Sequence, residues 1–165
     1  MAVDADTYGT EAGVELLIGD VVDGRAFTGS TVPTSTQVEG ILDQIAGVIN
    51  NALEAQGYSA PVVLADNPYA HRMLVRANDH GAAADIIAAF FPHMAFNAEG
   101  EPTDRLTYYR QALKDALDTI QRGALSAGLT RRIFAGSQED SDGNTKLPLF
   151  KRDKFDYPGA RTLTE

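Results

Sequence analysis

No cysteine occurs among the 165 residues. Disulfides, thiolate metal sites and a cysteine nucleophile are therefore excluded. The absence fits a reducing compartment, although assemblies that survive outside cells can also lack cysteine. Basic residues are scarce at the front: residues 1–60 hold nine acids and one base, Arg25. Residues 61–135 hold eight of each, and residues 136–165 hold six acids and five bases, so the net charge of −9 comes almost entirely from the first sixty positions. A freestanding nucleic-acid binder carries a basic face, and this bulk charge speaks against one. Acidity of this kind keeps a protein soluble; it also suits a surface past which DNA slides without sticking. A long apolar run is missing too. The most apolar stretch, Ala82 to Phe91, is broken by Asp85 and stopped by Pro92, too short to cross a bilayer. The first residues carry Asp4, Asp6 and Glu11 where a secretory leader needs Lys or Arg before an apolar run. The expectation is a soluble, unprocessed chain.

Catalytic signatures are absent as well. The three histidines, His71, His80 and His93, show no paired spacing for a metal, and are read as helix-surface or interface residues (His71, His80) and a loop residue (His93). The segment Asp140-Ser141-Asp142-Gly143-Asn144 resembles a calcium loop but fails on register. With Gly143 at the sixth position, Gln138 stands at the first and Leu149 at the twelfth, where acids are required. No phosphate-binding glycine loop and no nucleophile elbow are found. The chain is expected not to be an enzyme and to need no cofactor.

What is present is helical periodicity. Thr10 to about Val22 reads as a short helix capped by Thr10, with Val14, Leu17, Ile18 and Val21 in one stripe. A loop rich in Gly, Ser and Thr follows, from Asp23 to about Thr36. The next helix places Val38, Ile41, Ile45, Val48 and Ala52 at three/four spacing, widened by Leu42, Ile49 and Leu53. Ser35 or Thr36 caps it, Thr36 forming a capping box with Glu39, and Gly57 fits the stop. Its opposite face is acidic and polar, with Glu39, Asp43 and Glu54. Asn67 as cap and Pro68 at the first helical position open a third helix. Gly81, Ala82, Ala83, Ala84, Ala88 and Ala89 let neighbouring backbones come close to it, so it belongs at the centre. After a loop, a last long helix runs from about Pro102 to Arg122. Its apolar face is Leu106, Tyr109, Leu113, Ala116, Leu117 and Ile120, and Arg105 lies outside.

From Leu129 the periodicity stops. A small hairpin about Asp142-Gly143 fits within residues 129–150. The end of the chain, LPLFKRDKFDYPGARTLTE, combines Phe150, Phe155 and Tyr157 with Lys151 and Arg152. Basic residues among aromatics can grip single-stranded nucleic acid. Here Asp153 and Asp156 lie in the same run, which favours protein contact, since aromatics and Arg are enriched in interface cores. Such a segment cannot build its own core and makes sense laid along another chain.

The fold class expected is all-α: a helical bundle of about four helices (one short, three long) with an extended C-terminal arm. Residues 1–9 are expected as a flexible N-terminus, 10–128 as the bundle domain and 129–165 as the arm or hairpin.

This layout resembles the head–tail adaptor (connector) proteins of long-tailed bacteriophages. The features that carry the likeness are EAGVELLIGDVV, STQVEGILDQIAGVINNALEAQGY, YAHRMLVRANDHGAAADIIAAFF, DRLTYYRQALKDALDTI and the GSQEDSDGN…PLFKRDKFDYPG tail, roughly residues 10–160. The resemblance implies a virion protein, made in the host cytoplasm, that assembles into a ring of about twelve copies. The ring sits in the neck beneath the portal protein, meets a stopper or tail-completion protein below, and lets double-stranded DNA pass through its lumen, with no membrane involved. It also implies a portal- or neighbour-binding role for Phe134, Phe150, Lys151, Arg152, Phe155 and Tyr157. Glu39, Asp43 and Glu54 would then form an acidic face toward the DNA. The alternative is a cytosolic helical oligomeric regulator that binds DNA or a partner protein; a third is an enzyme with a dispersed helical site.

Overall fold

The computed structural model describes residues 3–125 and the backbone of two short segments, 138–139 and 145–146. The chain divides into two compact units, Met1–Arg132 and Ile133–Glu165. In the second, Gln138–Glu139 (β1) and Thr145–Lys146 (β2) pair antiparallel, Gln138 opposite Lys146 and Glu139 opposite Thr145.

The first unit is an all-α bundle. Its helices are α1 (Glu11–Ile18), α2 (Ser35–Ala55), α3 (Pro68–Phe90), α4 (Pro92–Ala95) and α5 (Asp104–Gln121). α3 is the axis, touched by all four others. From Ala77 to Ala84 eight consecutive residues are buried, which happens only when a helix is covered all round. The small side chains there allow it. At Gly81 even a Cβ would stand 2.9 Å from the Ile45 side chain and 3.0 Å from Leu113, so α2 and α5 both close on this one position.

The core has two parts, one at each end of α3. Val14, Ile18, Val38, Leu42, Ile86, Ile87, Leu106 and Tyr109 form the first. Ile45, Ile49, Leu53, Leu74, Ala116 and Ile120 belong to the second. The start of α2 therefore meets the end of α3, and the start of α5 meets the end of α3. Both long neighbours run antiparallel to the central helix.

Local chemistry explains the boundaries. Thr10 caps α1, its side chain accepting from the Gly13 amide. α1 stops at Ile18, four residues short of the expected Val22. The chain tightens there into 3-10 turns at Gly19–Val21 and Asp23–Arg25. Gly19 sits against the Arg25 carbonyl, where a Cβ would lie 3.1 Å away, so the backbone folds back on itself. α2 is capped by Thr34, not by Ser35 or Thr36. Thr34 accepts from the Gln37 amide and the Gln37 side chain returns to the Thr34 amide, a full capping box. Both Thr34–Gln37 and Thr36–Glu39 satisfy the motif, and spacing alone does not choose between them.

α2 closes with Gly57 at φ 78°, its amide on the Glu54 carbonyl and the Tyr58 amide on Leu53, a Schellman motif. α5 ends the same way at Gly123, φ 66°. On α2, Val48 is 48% exposed and Ala46 takes the buried place expected for it. The segment after Pro92, expected as loop, contains the single turn α4. Pro92 is pre-set for a helical start, and the Phe96 amide closes the turn on its carbonyl. α5 begins at Asp104 with Thr103 as cap, inside the expected range.

Thr34→Ala is expected to lower stability by about 1 kcal/mol, the usual worth of an N-cap. Thr36→Ala, which removes an exposed side chain, is expected to change it by no more than about 0.5 kcal/mol. Thermal melts of the two variants check the assignment.

Candidate functional site

Residues 3–9 do not behave as the loose terminus expected from sequence. They form a strap, fastened by polar side chains of α2 and α3. Asn78, buried in mid-α3, accepts at Oδ1 from the amides of Tyr8 (3.2 Å) and Gly9 (3.1 Å), and its Nδ2 donates to the Leu42 carbonyl at 3.0 Å. Its neighbour Asp79 accepts from the Thr10 amide at 2.9 Å, at the point where α1 begins. The Asp79 carboxylate stands where a Cβ at Gly9 or Gly13 would lie, so a side chain at either position requires that carboxylate to move. Tyr8 is buried; its hydroxyl donates to Asn50 Oδ1 (2.6 Å) and accepts from the Val62 amide (3.0 Å). Asn50 Nδ2 in turn donates to the Asp6 carbonyl.

Burial pushes the Asp79 carboxyl up to about 6, only partly offset by the Thr10 amide. The neutral form is thus favoured by folding, and the ionised form is tolerated because it caps the positive end of α1.

Of the acidic face Glu39, Asp43 and Glu54, the structure brings two together. A shallow cleft of about 310 Å³ on the outer side of α2 is lined by Asp43, Glu54, Asn50 and the strap residues Asp4, Asp6 and Thr7. Asp43 is half-buried, and its Oδ1 accepts from the Asp4 amide (3.0 Å) and the Thr7 hydroxyl (2.5 Å), so it holds the strap and does not stand open to water. Glu54 is exposed. Glu39 is half-buried near the start of α2 and does not line the cleft.

Arg105, expected on the outside, instead ties α5 to α1. Its guanidinium grips Asp20 through two bonds of 2.8 and 2.6 Å and donates to the Leu17 carbonyl at 2.8 Å, beside the Tyr109 hydroxyl, which donates to the same carbonyl. This is the bidentate geometry that suits arginine, and it satisfies a carbonyl that the short helix leaves unpaired. The Asp20 carboxyl is held below its usual range by that hydrogen bond.

His80 is not a surface residue. Its ring is buried beside Tyr108 and Tyr109, 5.7 and 5.6 Å between centroids, with Nδ1 at 2.8 Å from the Arg76 carbonyl. Burial lowers its pKa. His71 is half-buried, 5.9 Å from the Tyr8 ring. His93 lies exposed on α4. Among the described residues no group of three or more His, Asp or Glu is placed to hold a metal ion, and no helix is long and apolar enough to cross a membrane.

The residues assigned to partner binding, Phe134, Phe150, Lys151, Arg152, Phe155 and Tyr157, lie outside the described residues. Sequence reasoning missed a different set. Leu16 is 89% exposed on α1, beside Val14 and Ile18 of the first core. At the other end Val63, Leu64 and Tyr69 are 54, 50 and 78% exposed, next to Ala70 of the second core. The signal was there in Val62-Val63-Leu64, which has more apolar residues than a connector can bury.

Comparison with protein-family models, curated proteins and solved structures finds no match.

Two outcomes are expected. Asn78→Ala strands two strap amides and should cost about 2–4 kcal/mol in a denaturant titration. Asp79 carries its proton in the folded state up to about pH 6 but near 3.8 when unfolded. Its contribution therefore favours folding in full below 3.8 and is lost as pH rises through about 6. Asp79→Asn keeps the acceptor and removes the titration. The stability of this variant relative to the parent should rise between pH 4 and 7, by up to about 3 kcal/mol; a difference independent of pH would contradict the assignment.

Proposed function

We propose that the chain is a structural adaptor of a tailed-phage neck, forming a ring between the portal and the stopper or tail-completion protein through which DNA passes. The observation that carries this reading is exposed apolar surface at both ends of the bundle, Val63, Leu64 and Tyr69 grouped at one and Leu16 on α1 at the other, among the exposed large hydrophobics of the described residues. Contiguous exposed apolar side chains, such as the Val63, Leu64 and Tyr69 group, mark contact surfaces. Two unlike surfaces far apart on one subunit favour heterologous contacts, which close into rings, or two different partners held above and below. In sequence, Phe150, Phe155 and Tyr157 beside Lys151 and Arg152 add further residues of the types that interfaces use.

The exposed carboxylates that line the cleft on α2, Asp4, Asp6 and Glu54, support the same reading more modestly. Carboxylates toward a lumen repel phosphate, so DNA moves past without binding.

The test is assembly. Mixed with its portal protein, the chain is expected to form closed rings under the electron microscope and to give no salt-dependent shift of duplex DNA. A compact dimer that ignores portal and binds duplex with an affinity falling steeply in salt would instead identify the cytosolic regulator.

A further inference from the structure

On one side of the α3–α5 contact a groove of about 330 Å³ remains open. It is lined by the half-buried Leu113 and Leu117 of α5, with the buried Gly81 and Ala84 of α3 behind them. Charged residues of both signs rim it: Arg110 and Lys114, Asp85 and Asp118.

The turn between α2 and α3, together with the start of α3, protrudes instead: Val63 and Leu64 of the turn and Tyr69 of α3 are exposed. The turn is firmly mounted. The amides of Asp66 and Asn67 both donate to the Val63 carbonyl, and the buried Asn67 caps α3 through the Ala70 amide at 3.0 Å. A tyrosine on a rigid mount loses little entropy on docking. Beside it stand the exposed Asp66 and Arg72, one of each sign, as on the groove rim.

We propose that the Val63–Tyr69 turn of one copy inserts Tyr69 into the α3–α5 groove of a second copy. The occupant cannot be the subunit's own turn. Tyr69 and Gly81 lie on the same helix, twelve residues apart, about 18 Å along its axis and about a third of a turn around it by regular helix geometry. With head and socket on different faces, each docked copy leaves its own socket open for the next, so the contact repeats head to tail. Asp66 meets the basic rim, Arg110 or Lys114, and Arg72 meets Asp85 or Asp118. This deepens the ring reading and rests on it for its biological meaning, but the contact is testable by itself.

The chain has no cysteine, so introduced thiols report cleanly. Ala65→Cys and Gln121→Cys, both exposed and placed beside head and socket, are combined in one full-length chain and treated with a short bis-maleimide. A ladder of multimers ending in one discrete closed species is expected. A ladder that stops at the dimer means a two-fold exchange and overturns the head-to-tail contact. So does a yield no higher than that from a chain with Gln44→Cys in place of Ala65→Cys, on the exposed side of α2. An open-ended ladder upholds the contact and sinks the ring. Discrete rings by light scattering without the ladder sink the contact and leave the ring. Tyr69→Ser should weaken association about thirtyfold, the scale of an interface hot spot, with an unchanged melting curve because the side chain is exposed. An undiminished ladder from that variant overturns the proposal.

Discussion

A carboxamide and a carboxyl side by side in the middle of a buried helix impose more on this fold than any apolar contact. Asn78 and Asp79 cannot remain unpaired inside the bundle, because a buried polar group without partners costs more than most core contacts return. Their partners are the amides of Tyr8, Gly9 and Thr10 and the carbonyl of Leu42. These bonds hold the strap where it lies and start α1 at Glu11, and a side chain at Gly9 or Gly13 would displace the Asp79 carboxylate. Hydrogen bonding at one point of α3 thus fixes the path of Tyr8, Gly9 and Thr10 and ties α2 in beside it at Leu42.

The same helix settles the packing. A stretch of glycine and alanine makes α3 thin enough for α2 and α5 to approach together, with Gly81 as the tightest point. Beside that close contact, along Leu113 and Leu117 of α5, a groove opens to the surface.

Most of the fold was legible in the sequence because the signals were local. The caps Thr10 and Asn67 with Pro68, the glycine stops at 57 and 123, and the apolar stripes of α2 and α5 each depend on a few neighbouring residues. The small-residue run correctly placed α3 at the centre. What was not legible depended on partners far along the chain. The strap is held by residues about seventy positions away, so its polar sequence read as slack. Arg105 reaches Asp20 across a similar distance, and a helical wheel alone puts it outside. His80 looked like surface for the same reason. A polar Asn-Asp-His run beside Gly-Ala-Ala-Ala could have warned that not all three can face water on a central helix.

The candidate site was legible in part. Asp43 and Glu54 do share one face of α2, as their spacing requires, yet Asp43 spends its lone pairs on the strap. The exposed turn at Val63–Tyr69 was passed over because connectors are read for turn residues and not for surplus apolar surface. Both features lie on a bundle in which the α3 polar pair fastens the strap. That dependence is most directly measured by native-state hydrogen exchange of the Tyr8, Gly9 and Thr10 amides. If Asn78 and Asp79 hold the strap as part of the cooperative fold, these amides exchange as slowly as those of central α3, through global unfolding. Exchange within seconds, at the rate of exposed loop amides, would contradict the account.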